Sequence, residues 1–532
     1  MALLDIDALS VAIGDTPVLH NVSLKVAPGE ILGLVGESGS GKSMTLLSAI
    51  RLLPRGAKTS GAIRLDGADL TPMSEREMCK IRGAKIGMVF QEPMTALNPV
   101  QTIGRQVAEM YTIHRGLPGR EADRAAADHV AKIGLRVPLD RYPHQLSGGQ
   151  RQRVVIAIAT ALQPKLLLAD EPTTALDVTT QAGILELLKS LARREGAGLV
   201  FVTHDLAVVA GLADRIAIMK DGAIVEEGAA PAIFRTMQHP YSKALRTAAS
   251  LPPRARAKPL PAAAPVVDAK NVGVVYRSGG LFAGTATRAV DDVSFTLAPG
   301  EIVGIVGESG SGKSSLARSV LGIQKAASGS IRIGGDDLAT ARAATTRKIR
   351  QRIQVVFQDP YGSLNPRHRV ETIVAEPLHL LDTSLHTADR RKRVEEALQR
   401  VGLSATDADK YPHEFSGGQR QRIAIARALI LEPKVVVLDE AVSALDVSIR
   451  AQIIELLKDL SDRLGLAYLF ITHDLSVVRA LADRVLVMQN GKLVEEGAIA
   501  EVFANPKHPH TKELIAASPS LEAAIAAREA TA

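Results

Sequence analysis

One ordered set of short motifs occurs twice in this 532-residue chain. Each copy contains a GESGSGKS segment, a glutamine, a Ser-Gly-Gly-Gln tetrapeptide, an Asp-Glu pair after an apolar run, and a His-Asp pair. Matched positions lie about 270 residues apart, which is far beyond the 20 to 50 residues of solenoid repeats. The repeat unit is therefore a whole domain, and the chain is predicted to hold two related modules.

The repeat predicts a first domain over 1–250 and a second over 269–520. The segment between them, 251–268, begins LPPRARAKPLPAAAP and is rich in proline, alanine and basic residues. Such a segment buries little apolar surface, so we expect a short, semi-extended tether. The alanine-rich end of the chain, including a tail over 521–532, is predicted to be helical.

The composition indicates ordinary protein domains rather than a specialised binder of polyanions. There are 64 basic and 57 acidic side chains, so the net charge of +7 argues neither for nucleic acid nor for acidic lipid. The single cysteine, Cys79, excludes an internal disulfide, makes an iron-sulfur cluster unexpected and fits a reducing compartment. No segment approaches the roughly 18 apolar residues of a membrane span, and the N-terminus lacks a basic signal-peptide region. We therefore expect a chain that does not enter a membrane unaided.

Short apolar runs alternate with helical segments in both halves. In the first half, strands are predicted over 30–35, 165–169 and 199–202, with a helix over 42–53 after the glycine-rich segment. The second half repeats the strands over 301–306, 434–438 and 468–471. Strands that alternate with helices predict an α/β fold with a parallel sheet covered on both faces.

The two glycine-rich segments have the spelling of phosphate-binding loops. Their glycines allow successive backbone N–H groups to face phosphate oxygens, and the following helix adds positive potential. Lys42 and Lys313 are predicted to reach the β- and γ-phosphates, and the hydroxyls of Ser43 and Ser314 to ligate Mg²⁺. The predicted nucleotide-binding residues of the loops are Ser38, Gly39, Ser40, Gly41, Lys42, Ser43 and Met44, and Ser309, Gly310, Ser311, Gly312, Lys313, Ser314 and Ser315.

Carboxylates and histidines follow the predicted strands farther along each half. A carboxylate at the end of a buried strand can face a phosphate-bound metal while its neighbour approaches an attacking water. The hypothesis assigns Asp170 and Asp439 to Mg²⁺ and Glu171 and Glu440 to activation of the water. Two more residues, His204 and His473, follow strands and are predicted to contact the γ-phosphate or to orient the water.

The tetrapeptides complete a pattern that resembles the ATP-binding cassette (ABC) family. They are Ser147, Gly148, Gly149 and Gln150 in the first half and Ser416, Gly417, Gly418 and Gln419 in the second. The resemblance covers nearly the whole chain. It implies two tandem P-loop domains, each with a parallel-sheet core and a helical signature subdomain.

In that family two cassettes pair head to tail and sandwich two ATP molecules. The resemblance therefore implies that Lys42 shares a nucleotide with the signature motif of the second half, and Lys313 with that of the first. It also assigns Gln91 and Gln358 to the nucleotide and metal and to a link with the transmembrane partner. The aspartates of TALD and SALD, Asp177 and Asp446, would communicate across the pair, and both sites are expected to hydrolyse ATP.

Several further segments resemble ATPases of oligopeptide and dipeptide importers. They are FQEPMTALNP and FQDPYGSLNP around the glutamines, HPYSKAL and HPHTKEL near the domain ends, and DEAVSALDVS in the second half. The chain thus resembles a fusion of two ATPase subunits, as in some peptide, microcin-peptide and glutathione importers. This resemblance implies two permease subunits and a substrate-binding protein as partners, and no nucleic-acid partner. It also implies a peripheral position on the cytoplasmic face of the inner cell membrane.

One position departs from the family pattern. Tyr276 matches an aromatic residue that stacks on adenine, whereas Ile13 stands at the corresponding place in the first half unless that loop is misaligned.

Two other functions compete with transport. A soluble tandem ATPase acting on ribosomes or nucleic acid is the alternative function. A binding module without hydrolysis is the third, and it conflicts with the presence of Glu171 and Glu440.

Overall fold

The structure is a computed structural model that describes residues 2–174, 176–254, 256, 263–278, 285–381, 385–443, 445–518 and 520–530. Part of the predicted tether, residues 255 and 257–262, lies outside the described residues. Within the described part, no helix combines the length and hydropathy that a membrane span requires.

Among its described residues, the first half contains ten strands and ten α-helices. Its strands are β1 (Leu4–Ile13), β2 (Thr16–Val26), β3 (Ile31–Val35), β4 (Ala57–Leu65), β5 (Ala68–Asp69), β6 (Ile86–Val89), β7 (Leu166–Asp170), β8 (Gly198–Thr203), β9 (Arg215–Lys220) and β10 (Ala223–Ala229). Its helices are α1 (Lys42–Ala49), α2 (Glu75–Ile81), α3 (Pro93–Ala96), α4 (Ile103–Arg115), α5 (Gly119–Lys132), α6 (Gly148–Thr160), α7 (Val178–Glu195), α8 (Leu206–Leu212), α9 (Ile233–Thr236) and α10 (Pro240–Ala249).

The second half repeats this order and ends with one more helix. Its strands are β11 (Val267–Ser278), β12 (Thr285–Leu297), β13 (Ile302–Val306), β14 (Ser328–Ile333), β15 (Asp336–Asp337), β16 (Ile353–Val356), β17 (Val435–Asp439), β18 (Ala467–Ile471), β19 (Arg484–Gln489) and β20 (Lys492–Ala498). Its helices are α11 (Lys313–Val320), α12 (Ala343–Arg352), α13 (Pro360–Ser363), α14 (Val370–Val374), α15 (Thr387–Arg400), α16 (Gly417–Leu429), α17 (Val447–Leu464), α18 (Leu475–Leu481), α19 (Ile499–Ala504), α20 (Pro509–Ala517) and α21 (Leu521–Glu529).

Each half contains two sheets. A six-stranded sheet has the order β10-β9-β3-β8-β7-β6 in the first half and β20-β19-β13-β18-β17-β16 in the second. All its strand pairs are parallel except the edge pairs β10–β9 and β20–β19, which are antiparallel. A four-stranded antiparallel sheet packs beside it, in the order β2-β1-β4-β5 or β12-β11-β14-β15. The predicted α/β fold with a parallel core in each half is confirmed.

The sequence pattern explains both kinds of strand. All residues of β3 and β7 are buried, as expected for central parallel strands with helices on both faces. In β1 the buried residues Leu4 and Ile6 alternate with more exposed aspartates, as expected for a half-exposed antiparallel strand. The strand register shifts after Asp7, where Ala8 has a φ of 51°, so that Leu9 rather than Ala8 faces the core.

The helix after the first glycine-rich loop is shorter than predicted. It ends at Ala49 rather than at Leu53. Arg51 adopts a left-handed backbone conformation with a φ of 52°, and Pro54 follows, so the helix cannot continue.

In both halves a helical subdomain is inserted in the chain between the two strands at one edge of the six-stranded sheet. These strands are β6 and β7 in the first half and β16 and β17 in the second. In the first half it contains α4, α5 and α6, whose apolar faces meet through the fully buried Val107, Ala126 and Val154. The signature tetrapeptide begins the last of these helices. This arrangement agrees with the predicted signature subdomain.

The segment after each half packs against the other half. After the first half, the side chain of Arg254 is only 3% exposed, and it lies 2.7 Å from Asp462 and 3.5 Å from Asp483 of the second half. The start of the predicted tether is thus anchored by ion pairs rather than free. After the second half, Leu521 on α21 is buried in the core of the first half, and Arg528 of the same helix donates to the carbonyl of Ala213.

A cluster of charged side chains lies where the two halves meet. Arg450 on α17 lies 3.1 Å from Asp474, which accepts hydrogen bonds from the first turn of α18. Burial alone would raise the pKa of Asp474, but the charges of Arg450 and His473 and local hydrogen bonds hold it below its usual value. Burial and the charge of Asp474 raise the pKa of Asp205 in the first half, and Arg450 opposes that shift.

Candidate active sites

The glycine-rich loops connect a central strand to a helix in each half. Residues 38–44 and 309–315 occupy the turns after β3 and β13 and the first turns of α1 and α11. Gly41 has a φ of 100°, and a Cβ there would lie 2.5 Å from the side chain of Leu19. A larger residue at this turn would therefore be strained and would clash, so the loop needs glycine.

Both loop lysines are buried and point back into their own loops. The Nζ of Lys42 donates to the carbonyls of Gly36 (2.8 Å) and Glu37 (2.7 Å). Lys313 donates to the corresponding carbonyls of Gly307 and Glu308, both at 2.7 Å. Burial lowers the pKa of each lysine, and nearby carboxylates oppose that shift only in part. An anionic ligand that replaces these carbonyls would compensate the desolvated charge.

The predicted metal carboxylates stand at the ends of β7 and β17. The Oδ1 atom of Asp170 is buried and has no hydrogen-bond partner among the described residues. Ser314 donates to Asp439 across 3.5 Å. Burial raises the pKa of Asp170, and a hydrogen bond with Ser43 opposes that shift only in part. A buried carboxylate oxygen without a partner, next to a serine hydroxyl, is a donor set that fits a hard divalent cation such as Mg²⁺.

The structure brings the predicted glutamine, glutamate and histidine together in the first half. The Nε2 of Gln91 donates to Glu171 at 3.1 Å, and the Nδ1 of His204 lies 3.4 Å from the same carboxylate. Thr174, which the sequence analysis did not single out, also donates to Glu171 at 2.9 Å. Burial alone would raise the pKa of Glu171, but the hydrogen bonds from His204 and Thr174 and the charge of Lys42 lower it to about 2.

The second half assembles the same three groups. Gln358 donates to Glu440 at 2.7 Å, and His473 lies 3.4 Å from it. Burial opposes ionisation, yet the partners, led by His473, hold the pKa of Glu440 below its usual value. Both glutamates have a positive φ, 43° for Glu171 and 50° for Glu440. Such strained backbone is concentrated at functional sites.

The signature tetrapeptides stabilise the start of a helix. Ser147 and Gln150 exchange hydrogen bonds, with the Ser147 amide donating to Gln150 Oε1 at 3.0 Å and the Gln150 amide donating to Ser147 Oγ at 3.3 Å. Ser416 and Gln419 do the same in the second half. This capping box is a structural function that the sequence analysis missed, although the Ser-x-x-Gln spacing predicts it.

Each glycine-rich loop also contacts a residue in or just after the TALD or SALD segment of the other half. The Ser38 amide donates to Asp446 at 2.7 Å, and Thr179 donates to Glu308 at 3.0 Å. A cavity of about 400 Å³ beside the second loop is lined by Lys313, Glu440 and His473 together with Asp177 of the first half. The described residues 147–150 of the signature motif do not line it. The halves thus meet head to tail through Asp446 on one side and through Thr179 on the other, with Asp177 lining the cavity, whereas the signature motif is not brought to this cavity.

Strand register relates Tyr276 to Ile13. On β11, Val274 pairs with Val290 and Tyr276 with Thr287, and β1 shows the same sequence of register shifts up to Ile13. Ile13 therefore occupies the equivalent place, which argues against a misaligned loop. The Tyr276 hydroxyl donates to Ser315 at 3.3 Å, whereas Ile13 is 37% exposed.

Comparison with known proteins agrees with this geometry. The ABC transporter family model matches residues 19–174 and 290–443, and the model of the oligopeptide/dipeptide transporter C-terminal region matches residues 494–531. The chain is 47% identical to the peptidoglycan transport ATP-binding protein YejF of Agrobacterium fabrum, over 98% of this chain and 97% of that protein. It is 46% identical to the glutathione import ATP-binding protein GsiA of Salmonella typhimurium, over 94% of this chain and 86% of that protein.

A solved structure, the ATP-binding cassette MJ0796 in a post-hydrolysis state with ADP and Pi, aligns with 44% of this chain and 98% of its own. The sequence identity is 31% and the TM-score is 0.40. The family matches cover the glycine-rich loop, the glutamine, the tetrapeptide and the Asp-Glu pair of each half, and also the end of the second half. The chain therefore belongs to the ABC transporter ATPases that carry the oligopeptide/dipeptide transporter C-terminal region, with two ABC cassettes in one polypeptide.

Proposed function

We propose that this ATPase drives uptake of small peptides or peptide-like molecules through separate membrane permeases, with Mg²⁺-ATP hydrolysed at both candidate sites. The observation that carries the proposal is the matched assembly of Gln91, Glu171 and His204 in one half and Gln358, Glu440 and His473 in the other. Neither half lacks a hydrolytic group. The similarity to peptidoglycan and glutathione transport proteins supports a peptide-like cargo.

Different residues of the chain bind the phosphates, hold the metal ion and orient the attacking water at each site. Lys42 and Lys313, which are desolvated, bind the phosphates, and the loop amides add hydrogen bonds. In the first half Ser43, Asp170 and Gln91 would hold Mg²⁺, and in the second half Ser314, Asp439 and Gln358 would do so. The ion would neutralise charge on the phosphates. Glu171 is ionised at neutral pH, so it accepts a hydrogen bond from the attacking water and orients it. His204 stays within 3.4 Å of that carboxylate and completes the polar pocket.

Exposed apolar side chains next to the glutamines support docking of permease subunits. Phe90 precedes Gln91 and is 39% exposed, and Phe357 precedes Gln358 and is 42% exposed. In the first half, Met94 and Val100 of the same loop are also exposed. Large exposed apolar residues in one region mark interaction surfaces. A partner that binds there would contact the segment that holds the glutamine on Glu171 and would place the protein on the cytoplasmic face of the inner membrane.

The ribosome or nucleic-acid alternative is not supported. The end of the second half matches the C-terminal region of oligopeptide/dipeptide transporters, and the relatives reported above are transport ATPases. A non-hydrolysing binding module also conflicts with the two intact glutamate sites.

ATP turnover of the full chain with its permeases tests the proposal. Glu171→Gln and Glu440→Gln remove one carboxylate each with little change in shape, and the double variant removes both. We expect each single variant to lose most of the Mg²⁺-dependent turnover and the double variant to lose nearly all of it. Full turnover in one single variant would show that its site is not hydrolytic. Uptake of labelled peptides and of glutathione by proteoliposomes would then identify the cargo.

A further inference from the structure

The two glycine-rich loops have the same sequence but are supported differently. In the first half, the Glu37 amide donates to the hydroxyl of Tyr241 at 3.0 Å. Tyr241 belongs to HPYSKAL at the start of α10, which is 204 positions farther along the chain. The Nζ of Lys220 lies 5.3 Å from the centre of the Tyr241 ring, a cation–π distance that holds the ring over the loop.

The second half differs at both of these positions. Its HPHTKEL segment has His510 in place of the tyrosine, and Gln489 stands where the first half has Lys220. His510 is 3% exposed, and its Nε2 atom has no hydrogen-bond partner among the described residues. The tyrosine hydroxyl and the cation that supports its ring are therefore features of the first half.

The same loop receives two further contacts from the second half. Asp446 accepts the Ser38 amide at 2.7 Å, and Ser448 donates to the carboxylate of Glu37. At the other site Asp177 instead caps its own helix by accepting the Thr180 amide at 2.9 Å, and Thr179, the counterpart of Ser448, donates to Glu308. The first loop is thus held from both sides, by Tyr241 within its half and by the SALD segment across the interface.

We propose that Tyr241 is a positioning residue that pre-organises the first phosphate-binding loop and makes the two ATP sites unequal in nucleotide affinity. Its hydroxyl fixes the Glu37 peptide, and the next amide along the chain, that of Ser38, belongs to the predicted phosphate cradle. A loop that is already ordered loses less conformational freedom when a nucleotide binds. The second loop, which lacks this hydroxyl, is ordered to a larger extent by the nucleotide itself.

The size of the effect follows from one hydrogen bond between an amide and a partly buried hydroxyl. Loss of such a bond changes an equilibrium constant by roughly 2- to 10-fold. The inference rests on the proposed function, specifically on Lys42 and Lys313 serving one nucleotide site each. The test must therefore report on each site separately.

Binding of a non-hydrolysable ATP analogue with Mg²⁺ to the full chain, measured by titration calorimetry, provides this resolution. Lys313→Ala is expected to leave only the first site and Lys42→Ala only the second. If neither variant reduces the stoichiometry from two to one, the proposed site assignment fails, independently of Tyr241. If both do, Tyr241→Phe is introduced into each background, with Tyr111→Phe in the helical subdomain as the matched control.

We expect Tyr241→Phe to weaken binding roughly 2- to 10-fold in the Lys313→Ala background and to leave binding in the Lys42→Ala background unchanged. An equal effect in both backgrounds would indicate a general loss of structure and would overturn the inference, as would no effect in the first. The reverse exchange, His510→Tyr with Gln489→Lys, should tighten binding at the second site. Unchanged affinity after that exchange would also contradict the inference.

Discussion

The C-terminal helix α21 should detach from the first half when Leu521 is replaced by alanine. Leu521 is 3% exposed and packs into the apolar core of the first half, where Ala524 and Ile525 add partly buried contacts. A leucine-to-alanine change in a core costs about 2–5 kcal/mol. Because a nine-residue helix on the surface of a domain can relax around the change, we use the lower part of that range, about 2–3 kcal/mol. This shifts the docked-to-undocked ratio by roughly 30- to 150-fold.

Detachment should be visible by amide hydrogen exchange. A nine-residue helix is marginal in water without tertiary contacts, so α21 should unfold once it is undocked. We expect faster exchange in 521–530 and in the facing helix α8, with the second cassette unaffected. Leu464→Ala, at a leucine that is 45% exposed, is the matched control. Unchanged protection of α21 and α8 in the Leu521 variant would refute the argument that this side chain holds the helix.

Two further predictions concern stability. Arg450→Gln should lower the free energy of unfolding of the second cassette by about 1–3 kcal/mol near neutral pH. Arg450 lowers the pKa of Asp474, so the stabilisation from this ion pair is present above the usual aspartate pKa and is lost as the pH falls through the lowered pKa of Asp474. In thermal unfolding, the variant should therefore lose less stability between pH 7 and pH 3 than the unmodified protein does. Gly418→Ala should destabilise by about 1–3 kcal/mol, since its Cβ would lie 2.4 Å from Ile449, whereas Gly417→Ala has open space and should be neutral in denaturant unfolding. The first expectation would be contradicted if the stability difference between Arg450→Gln and the unmodified protein did not change with pH. The second would be contradicted if Gly418→Ala and Gly417→Ala destabilised the protein equally.

Much of the fold could be predicted because its signals are local. The apolar runs before Asp170 and Asp439 are short and lie in sequence order with helices, so periodicity and length identify buried parallel strands. Helix ends were predicted less well, as the early end of α1 shows. Its limit depends on the left-handed conformation of Arg51, which no apolar pattern indicates.

The candidate sites were predictable as sets of residues but not as contacts. Gln91, Glu171 and His204 all lie at strand ends, so their proximity follows from the rule that parallel strands share one active edge. Thr174 and Tyr241 carried no such signal. Threonine next to a carboxylate is common, and the HPYSKAL segment was interpreted only as a family feature, although its tyrosine reaches the glycine-rich loop.

The sequence by itself determined that the chain contains two cassettes, which glycine-rich segments form the turns between a central strand and a helix, and which carboxylates end the central strands. These features depend on residue type and short spacing, and the backbone geometry of a glycine turn or a buried strand is local. Only the tertiary structure decided that α21 docks on the first half, that Asp446 reaches Ser38, and that Tyr241 supports one loop alone. Such contacts join segments hundreds of residues apart, and their formation depends on the shapes and buried areas of two complete folded surfaces.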